Sequence, residues 1–257
     1  MAVETVLITG ASSGIGHQLA RHFAADKSRL IVLSPDQDRL ESVASQLRKE
    51  YGVDVQTLVM DLTDPTAPQA IFDQLTGQGI DVDVLVNNAG FGAQGHVVDL
   101  PIERQLNMIQ LNVTAVTHLT RLFLPKMIER GRGGVLNIGS TGSYQPGPNA
   151  AVYYATKAFV LSFTEALAEE LAGSKLHITC LTPGPTATGF GTDSGMADTV
   201  VFRFNLMNVV KVARMGYQGF RRGKVVVVPG MLNRFLILLV RLLPRVVVRK
   251  IVKRMQS

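Results

Sequence analysis

One cysteine in 257 residues excludes a disulfide within the chain and a cysteine-based metal site. That residue, Cys180, stands in the apolar run His177-Ile178-Thr179-Cys180-Leu181 and reads as the filler of a buried strand. The five histidines, His17, His22, His96, His118 and His177, show no metal-ligand spacing, so no metal is expected. No serine occupies a nucleophile elbow, which removes Ser-His-Asp hydrolysis. No basic leader or small-residue cleavage site precedes the first apolar run, Thr5 to Ile8, and a cytoplasmic location is the expectation. Acid is missing from the last part of the chain: all 20 Asp and Glu lie at or before Asp198. Residues 1–198 set 13 Lys and Arg against those 20 acids, a net −7, whereas 199–257 carry 13 and no acid, a net +13.

What is present fills a core. Apolar residues make up 46% of the chain and charged residues 18%, which excludes a disordered protein and fits one α/β domain over 1–257. Short runs rich in Val, Ile and Leu predict strands at 4–9, 29–34, 55–60, 82–87, 133–139, 176–182 and 224–228. Helical periods predict helices near 14–25, 36–51, 65–77, 101–130 and 151–173. The alternation predicts βαβ units and a doubly wound, mostly parallel seven-stranded sheet of Rossmann type, covered by helices on both faces. Pro183-Gly184-Pro185 and the run from Gly189 to Gly195 break the pattern, so 184–220 reads as a substrate loop emerging where ligands bind in open α/β sheets.

Thr9-Gly10-Ala11-Ser12-Ser13-Gly14-Ile15-Gly16 follows the first strand and opens the first helix. Glycines there allow a tight turn and close approach, and the exposed N–H groups and positive helix end suit a pyrophosphate. A glycine turn alone is also an ordinary strand-to-helix connection. A second signal is Tyr153 with Lys157: residues four apart share one helix face and can serve one reaction centre. Tyr154 has no lysine at that spacing and reads as a packing or pocket-lining residue. Ser140 stands 13 residues before Tyr153, straight after the fifth strand.

Taken with Asn87-Asn88-Ala89-Gly90, the Gly10-x3-Gly14-x-Gly16 spacing and Ser140…Tyr153-x3-Lys157 resemble the short-chain dehydrogenase/reductase family over roughly residues 4–190. The resemblance implies an oxidoreductase that moves hydride between a nicotinamide cofactor and a carbonyl or alcohol. It implies that Tyr153 transfers the proton, Ser140 steadies the substrate oxygen, Lys157 holds the nicotinamide ribose, and Asn112, on a kinked helix, holds a water that links the lysine to solvent. A tyrosine acting near neutrality needs a shift of about 3 units, about 4 kcal/mol. One cation about 4 Å away contributes roughly that at an effective dielectric of 20, so Lys157 is expected to pull the phenol down. The same resemblance gives Gly10, Ser12, Ser13, Gly14, Ile15 and Gly16 to the pyrophosphate turn and Asp61, with Leu62, to the adenine. Asn87, Ala89 and Gly90 go to the adenine ribose, and Pro183, Gly184, Thr186 and Thr188 to the nicotinamide. Asp61 also reads as a turn or cap residue, and either threonine as a helix cap.

Cofactor choice turns on the end of the second strand, where this chain has Ser34 and Pro35 and no charge. Ser13, Ser34 and Arg39 suit a 2′-phosphate, whereas Asp36 or Asp38 suits a free ribose hydroxyl or caps the second helix. The reading favours NADP over NAD. The substrate pocket is expected around Gly142-Ser143-Tyr144, Phe91-Gly92-Ala93 and the stretch from Phe190 to Met207, where Met196, Phe202, Phe204 and Met207 make it apolar. A ketoacyl, steroid-like or other lipid carbonyl therefore fits better than a sugar. The alternatives are an NAD-dependent alcohol dehydrogenase and a dinucleotide-binding sensor or scaffold without turnover.

The acid-free terminus, 231–257, falls into two amphipathic segments divided by Pro244. Its apolar run is shorter than the roughly 20 residues a span requires. Packing on the domain or on a second subunit of a homo-oligomer is the first reading, and peripheral contact with an anionic membrane the second. A basic tail without interleaved aromatics is a weak nucleic-acid footprint, and no nucleic acid is expected.

Overall fold

All five residues of the first strand, β1 (Thr5–Thr9), are buried, with Val6 and Ile8 in one apolar layer and Leu7 in the other. A strand buried on both faces must lie inside a sheet covered by helices. The computed structural model describes residues 3–204 and 206–256, without the side chains of Val201 and Phe204, and has that architecture. After β1 come α1 (Gly14–Ala25), β2 (Arg29–Ser34), α2 (Gln37–Tyr51), β3 (Val55–Val59), α3 (Ala67–Gly77) and β4 (Val84–Asn87). They are followed by α4 (Ile102–Ile109), a π turn (Gln110–Thr114), α5 (Ala115–Arg130), β5 (Gly134–Ile138), α6 (Ala151–Glu170) and β6 (His177–Leu181). The chain closes with α7 (Phe190–Ser194), α8 (Val200–Phe204), α9 (Val209–Arg221), β7 (Val226–Val227), α10 (Met231–Leu242) and α11 (Arg245–Met255).

The seven strands pair in parallel in the order β3-β2-β1-β4-β5-β6-β7, as the apolar runs imply. The chain winds outward from β1 to β3 and then returns to place β4 on the other side of β1. That reversal opens a crevice between the carboxyl ends of β1 and β4. One face is covered by α1, α2 and α9 through Leu19, Leu40, Val212 and Phe220, the other by α3 and α5 through Ile71, Leu75 and Phe123. Each such side chain taken out of water contributes about 1.5–3 kcal/mol. Arg221 ties α9 to the start of β1 with two bonds to Glu4, each 2.7 Å.

Four predicted elements differ in detail. The stretch 184–220 is not a loop throughout, because α9 is one of the covering helices. Its inner face, Val212, Ala213, Gly216, Gly219 and Phe220, recurs at helical spacing, a period set directly behind the Pro183–Pro185 and Gly189–Gly195 breaks. The predicted helix 101–130 is interrupted by the π turn. The seventh strand is two residues long where five were expected, and the helix predicted at 151–173 ends at Glu170.

Candidate active site

Gly10 and Gly14 take φ values of +63° and +57°, which lets the β1–α1 turn double back and leave the α1 N-terminus facing the crevice. A Cβ on Gly16 would lie 2.4 Å from the Gly10 carbonyl oxygen and 2.3 Å from Asn88 Nδ2, so the turn closes only on a glycine. Asn88 Nδ2 donates to the carbonyls of Thr9 and Gly10, both at 2.9 Å, and Thr9 Oγ1 accepts from the N–H groups of Asn88 and Ala89. The ends of β1 and β4 are thereby locked into one wall.

A cleft of about 460 Å³ runs from this turn across the carboxyl ends of the strands, within the range of small-molecule sites. Gly10, Ser12, Ser13, Gly14, Ile15, Ser34, Arg39, Ala89, Gly90, Ser140, Tyr153, Lys157, Pro183, Gly184, Thr186 and Thr188 all line it. Five expected residues do not, and each has a physical reason. Gly16 lies behind the turn. Asn87 is 3% exposed and its Nδ2 donates to Asn137 Oδ1 and Thr120 Oγ1, so it joins β4 to β5 and α5, and it is Asn88 that reaches the cleft. Asp61 accepts from the Thr63 N–H at 2.9 Å, the turn role given above as its alternative, and Leu62 is buried against Leu33 and Leu58. Asn112 is wholly buried behind the wall.

At one end of the cleft Ser34 Oγ donates to Ser12 Oγ at 2.9 Å. Asp36 caps α2 by accepting from the Arg39 N–H, and its other carboxylate oxygen meets Arg39 Nε at 3.2 Å. That pair is exposed, with the Arg39 side chain 73% accessible, so the guanidinium is free to turn toward an anion. Hydroxyls, a cation and helix-start N–H groups fit the pyrophosphate and ribose of a dinucleotide.

At the other end Tyr153 and Ser140 both line the cleft, and the Ser140 hydroxyl pulls the phenol pKa down against its burial. Ser140 Oγ accepts from the Gly142 N–H at 3.0 Å as it caps the short 3₁₀ turn Thr141–Tyr144, which leaves its own proton to donate. Lys157, 6% exposed, donates from Nζ to the Ile138 carbonyl at 2.8 Å. Asn112 donates to Phe91 O at 2.9 Å and Thr156 Oγ1 at 3.1 Å and accepts from the Phe91 N–H, which pins the strand-end loop beside Lys157. A Cβ at Gly90 would lie 2.9 Å from Asn112 Oδ1 and 3.3 Å from Lys157 Nζ, so these two groups crowd the same backbone. The π turn places Asn112 there, with the Ala115 N–H reaching back to Gln110 O.

Burial is the largest influence on both titrating groups. It pushes the Tyr153 phenol up, with Ser140 pulling it partly back, and holds the Lys157 ammonium down at about 8. Lys157 is not among the influences on Tyr153, so the expected depression of the phenol is absent. The geometry explains this: Nζ is turned to Ile138 O. A neutral phenol and a free serine proton in a largely apolar cleft can hold a carbonyl oxygen and protonate it.

The apolar half of the cleft is built by Phe190, which packs on Tyr153 with ring centroids 5.3 Å apart, by Phe202 stacked on Phe190, and by Met196. Phe91, Gly92 and Gly142 line it too, whereas Ser143 donates to Lys157 O and Tyr144 lies under Arg241. Ala93 is buried in the cluster behind, Met207 sits beside Gly230 and Asn233, and the Phe204 side chain is outside the described residues. One wall residue carries no sequence motif. Gln256 is 2% exposed, lines the cleft and donates from Nε2 to the Tyr154 hydroxyl, while Gln94 Nε2 donates to its backbone carbonyl at 2.7 Å. Gln256→Ala is expected to raise KM for an apolar carbonyl about tenfold by opening this wall, with dinucleotide affinity unchanged; steady-state kinetics beside a cofactor titration measures both.

Residues 4–198 match the family model described as short chain dehydrogenase. The chain is 34% identical over 204 residues, 77% of its length and 79% of the relative's, to the NADP-dependent 3-hydroxy acid dehydrogenase of Schizosaccharomyces pombe. It is 32% identical over 191 residues to the very-long-chain 3-oxoacyl-CoA reductase of Bos taurus, covering 72% of this chain and 60% of that one. Among solved structures, a short-chain dehydrogenase from Sphingobium yanoikuyae in complex with NADPH superposes with a TM-score of 0.83 at 34% identity, over 92% of each chain.

Proposed function

This chain belongs to the short-chain dehydrogenase/reductase family, and on that premise we propose that it is an NADP-dependent reductase of apolar ketones or aldehydes, of ketoacyl, steroid-like or other lipid type. The observation that carries the reading is that Tyr153, Ser140 and Lys157 line one cleft beneath Phe190, Met196 and Phe202, at the opposite end from the glycine turn. A nicotinamide dinucleotide bound along that cleft would supply hydride chemistry there, and the N–H groups at Ser13 to Ile15 would hold its pyrophosphate while Ser34, Ser13 and Arg39 would hold a 2′-phosphate. The relatives named above as NADP-dependent and NADPH-bound support that choice over NAD.

Tyr153 and Ser140 bind the carbonyl oxygen of the substrate between them. Tyr153, kept as a phenol by burial, gives that oxygen its proton, and Ser140 donates to it as charge develops. Lys157 has three donor hydrogens and uses one on Ile138 O, which leaves two for the hydroxyls of the nicotinamide ribose. Asn112 holds Phe91 and the π turn against Lys157. The apolar rings exclude water and accept a hydrocarbon body, which a sugar would leave with unsatisfied hydroxyls.

A calorimetric titration with NADPH and NADH in parallel tests the cofactor. NADPH should bind about tenfold or more tightly, and Arg39→Ala should erase most of that difference, as expected for loss of one charged hydrogen bond of about 1.5–3 kcal/mol. Equal affinities, or a preference for NADH untouched by Arg39→Ala, would give the ribose hydroxyl to Asp36 and overturn the NADP reading. A substrate panel tests the rest: kcat/KM higher for a sugar than for long-chain and steroid ketones removes the apolar assignment.

A further inference from the structure

The second candidate surface lies outside the cleft. Of the side chains in 231–256, those buried are Asn233, Ile237, Val248, Val252 and Gln256, which point inward. The outward side of α10 is apolar. Met231, Phe235, Leu238 and Leu242 recur at four, three and four residues and so form one row along the helix, and a second row from Leu232 to Leu243 runs beside it. All eight are exposed, Met231 by 86% and Leu242 by 73%, a contiguous apolar face of the kind that marks a docking surface. Across Pro244, α11 adds exposed Arg245, Arg249, Lys250 and Arg254, and no acidic residue follows Asp198 anywhere in the chain.

We propose that α10 and α11 form a lipid-docking face that seats the protein on an anionic bilayer, with the α10 rows in the acyl boundary and the basic side chains at the headgroups. Three observations select this occupant. No helix among the described residues is long and apolar enough to cross a membrane, so the face lies on the surface rather than within it. A two-fold contact with a second copy would set the same acid-free patch against itself, since such contacts pair a surface with its own image. Anionic headgroups instead complement 231–257, which carries seven Lys and Arg and no acid, a net +7. The inner side of the same helices fixes the outcome for the site: Val248 and Val252 pack in the cluster that holds Tyr153 and Tyr154, and Gln256 lines the cleft. Docking therefore brings the wall of the substrate pocket to the lipid surface. The proposal does not depend on which cofactor or substrate the cleft takes.

The test is co-sedimentation of the full chain with vesicles of phosphatidylcholine containing about 30 mol% phosphatidylglycerol, against phosphatidylcholine alone, with no readout of activity. The wild type should partition to the anionic vesicles at least about tenfold better, less so as salt is raised. Leu238→Glu with Leu242→Glu, both fully outward, should abolish binding without moving the thermal melt. Arg249→Glu with Lys250→Glu should weaken binding about tenfold and serves in its place if the first variant misfolds. A wild type that stays in the supernatant overturns the proposal, as does binding indifferent to both variants. So does a dimer without lipid binding that the leucine variant turns into a monomer, which would assign the face to a second copy.

Discussion

Tyr153→Phe is expected to lower kcat for carbonyl reduction by about 10³-fold while the dinucleotide dissociation constant stays within about twofold, because only the proton donor is removed. The ring is 8% exposed and packs against Phe190 and Tyr154, so phenylalanine fills the same space and the fold survives. What disappears is the hydroxyl that faces the cleft together with Ser140. Tyr154→Phe is the control. Its hydroxyl is held by Gln256 rather than Ser140, so its loss should change kcat only a fewfold. Single-turnover mixing of enzyme and NADPH with substrate measures the chemical step, and a Tyr153→Phe enzyme that keeps more than about a tenth of the rate would remove Tyr153 from proton transfer.

Lys157→Met should reduce kcat/KM by about 10²–10³-fold and also weaken the dinucleotide, since the ammonium would hold the nicotinamide ribose at the reacting end of the cleft. The pH behaviour separates this from a structural defect. Burial lowers Lys157 from 10.5 to about 8, so reductive kcat/KM of the wild type should be level below pH 8 and fall above it as the ammonium deprotonates. The residual activity of Lys157→Met should not show that fall. Stability moves the other way. Between about pH 8 and 10.5 the unfolded chain still holds the proton that the folded chain has lost, so stability rises with pH across that window. The wild type should thus gain on Lys157→Met by about 3 kcal/mol at most, read by denaturant unfolding at the two ends of the window. A stability difference between the two proteins that is flat across the window would mean that the buried amine keeps its proton in the folded chain up to about pH 10.5, with no lowered pKa.

The fold was legible because its strands are short apolar runs, and Val6, Leu7 and Ile8 can only be buried together inside a parallel sheet. The glycine turn and the Tyr153–Lys157 spacing were legible because backbone curvature and helix periodicity leave few other residues that can serve. What was missed had no such local signature. The helical period of α9, with Val212 and Phe220 inward, stands directly behind the proline and glycine breaks, and those breaks extend a loop reading over a covering helix. Asn87 and Asn88 differ only in which side of the strand end each faces, and one position decides which reaches the cleft. Gln256 enters the pocket through a tertiary path, from the end of the short basic helix α11, which carries no local motif. At the end of β2, Ser34 and Pro35 carry no charge, and the Asp36–Arg39 pair presents both signs at once, so the ribose end gives the least direct reading of any part of the site.

The π turn at Gln110–Thr114 has a consequence for insertions and deletions. A regular helix advances about 100° per residue, and the turn holds one residue more than a regular register would. Removing any single residue from this stretch would let α4 and α5 fuse into one uninterrupted helix, with a more regular ladder and a higher local helical tendency. The turns on either side would keep their phase, because the bulge already absorbs the extra residue, but the amide now bonded to Phe91 and Thr156 would be drawn off the wall into the regular helix. Side chains on the outer surface of these helices can vary freely, but the number of residues between Met108 and Ala115 cannot, and a sequence shortened there would keep its sheet and lose its site.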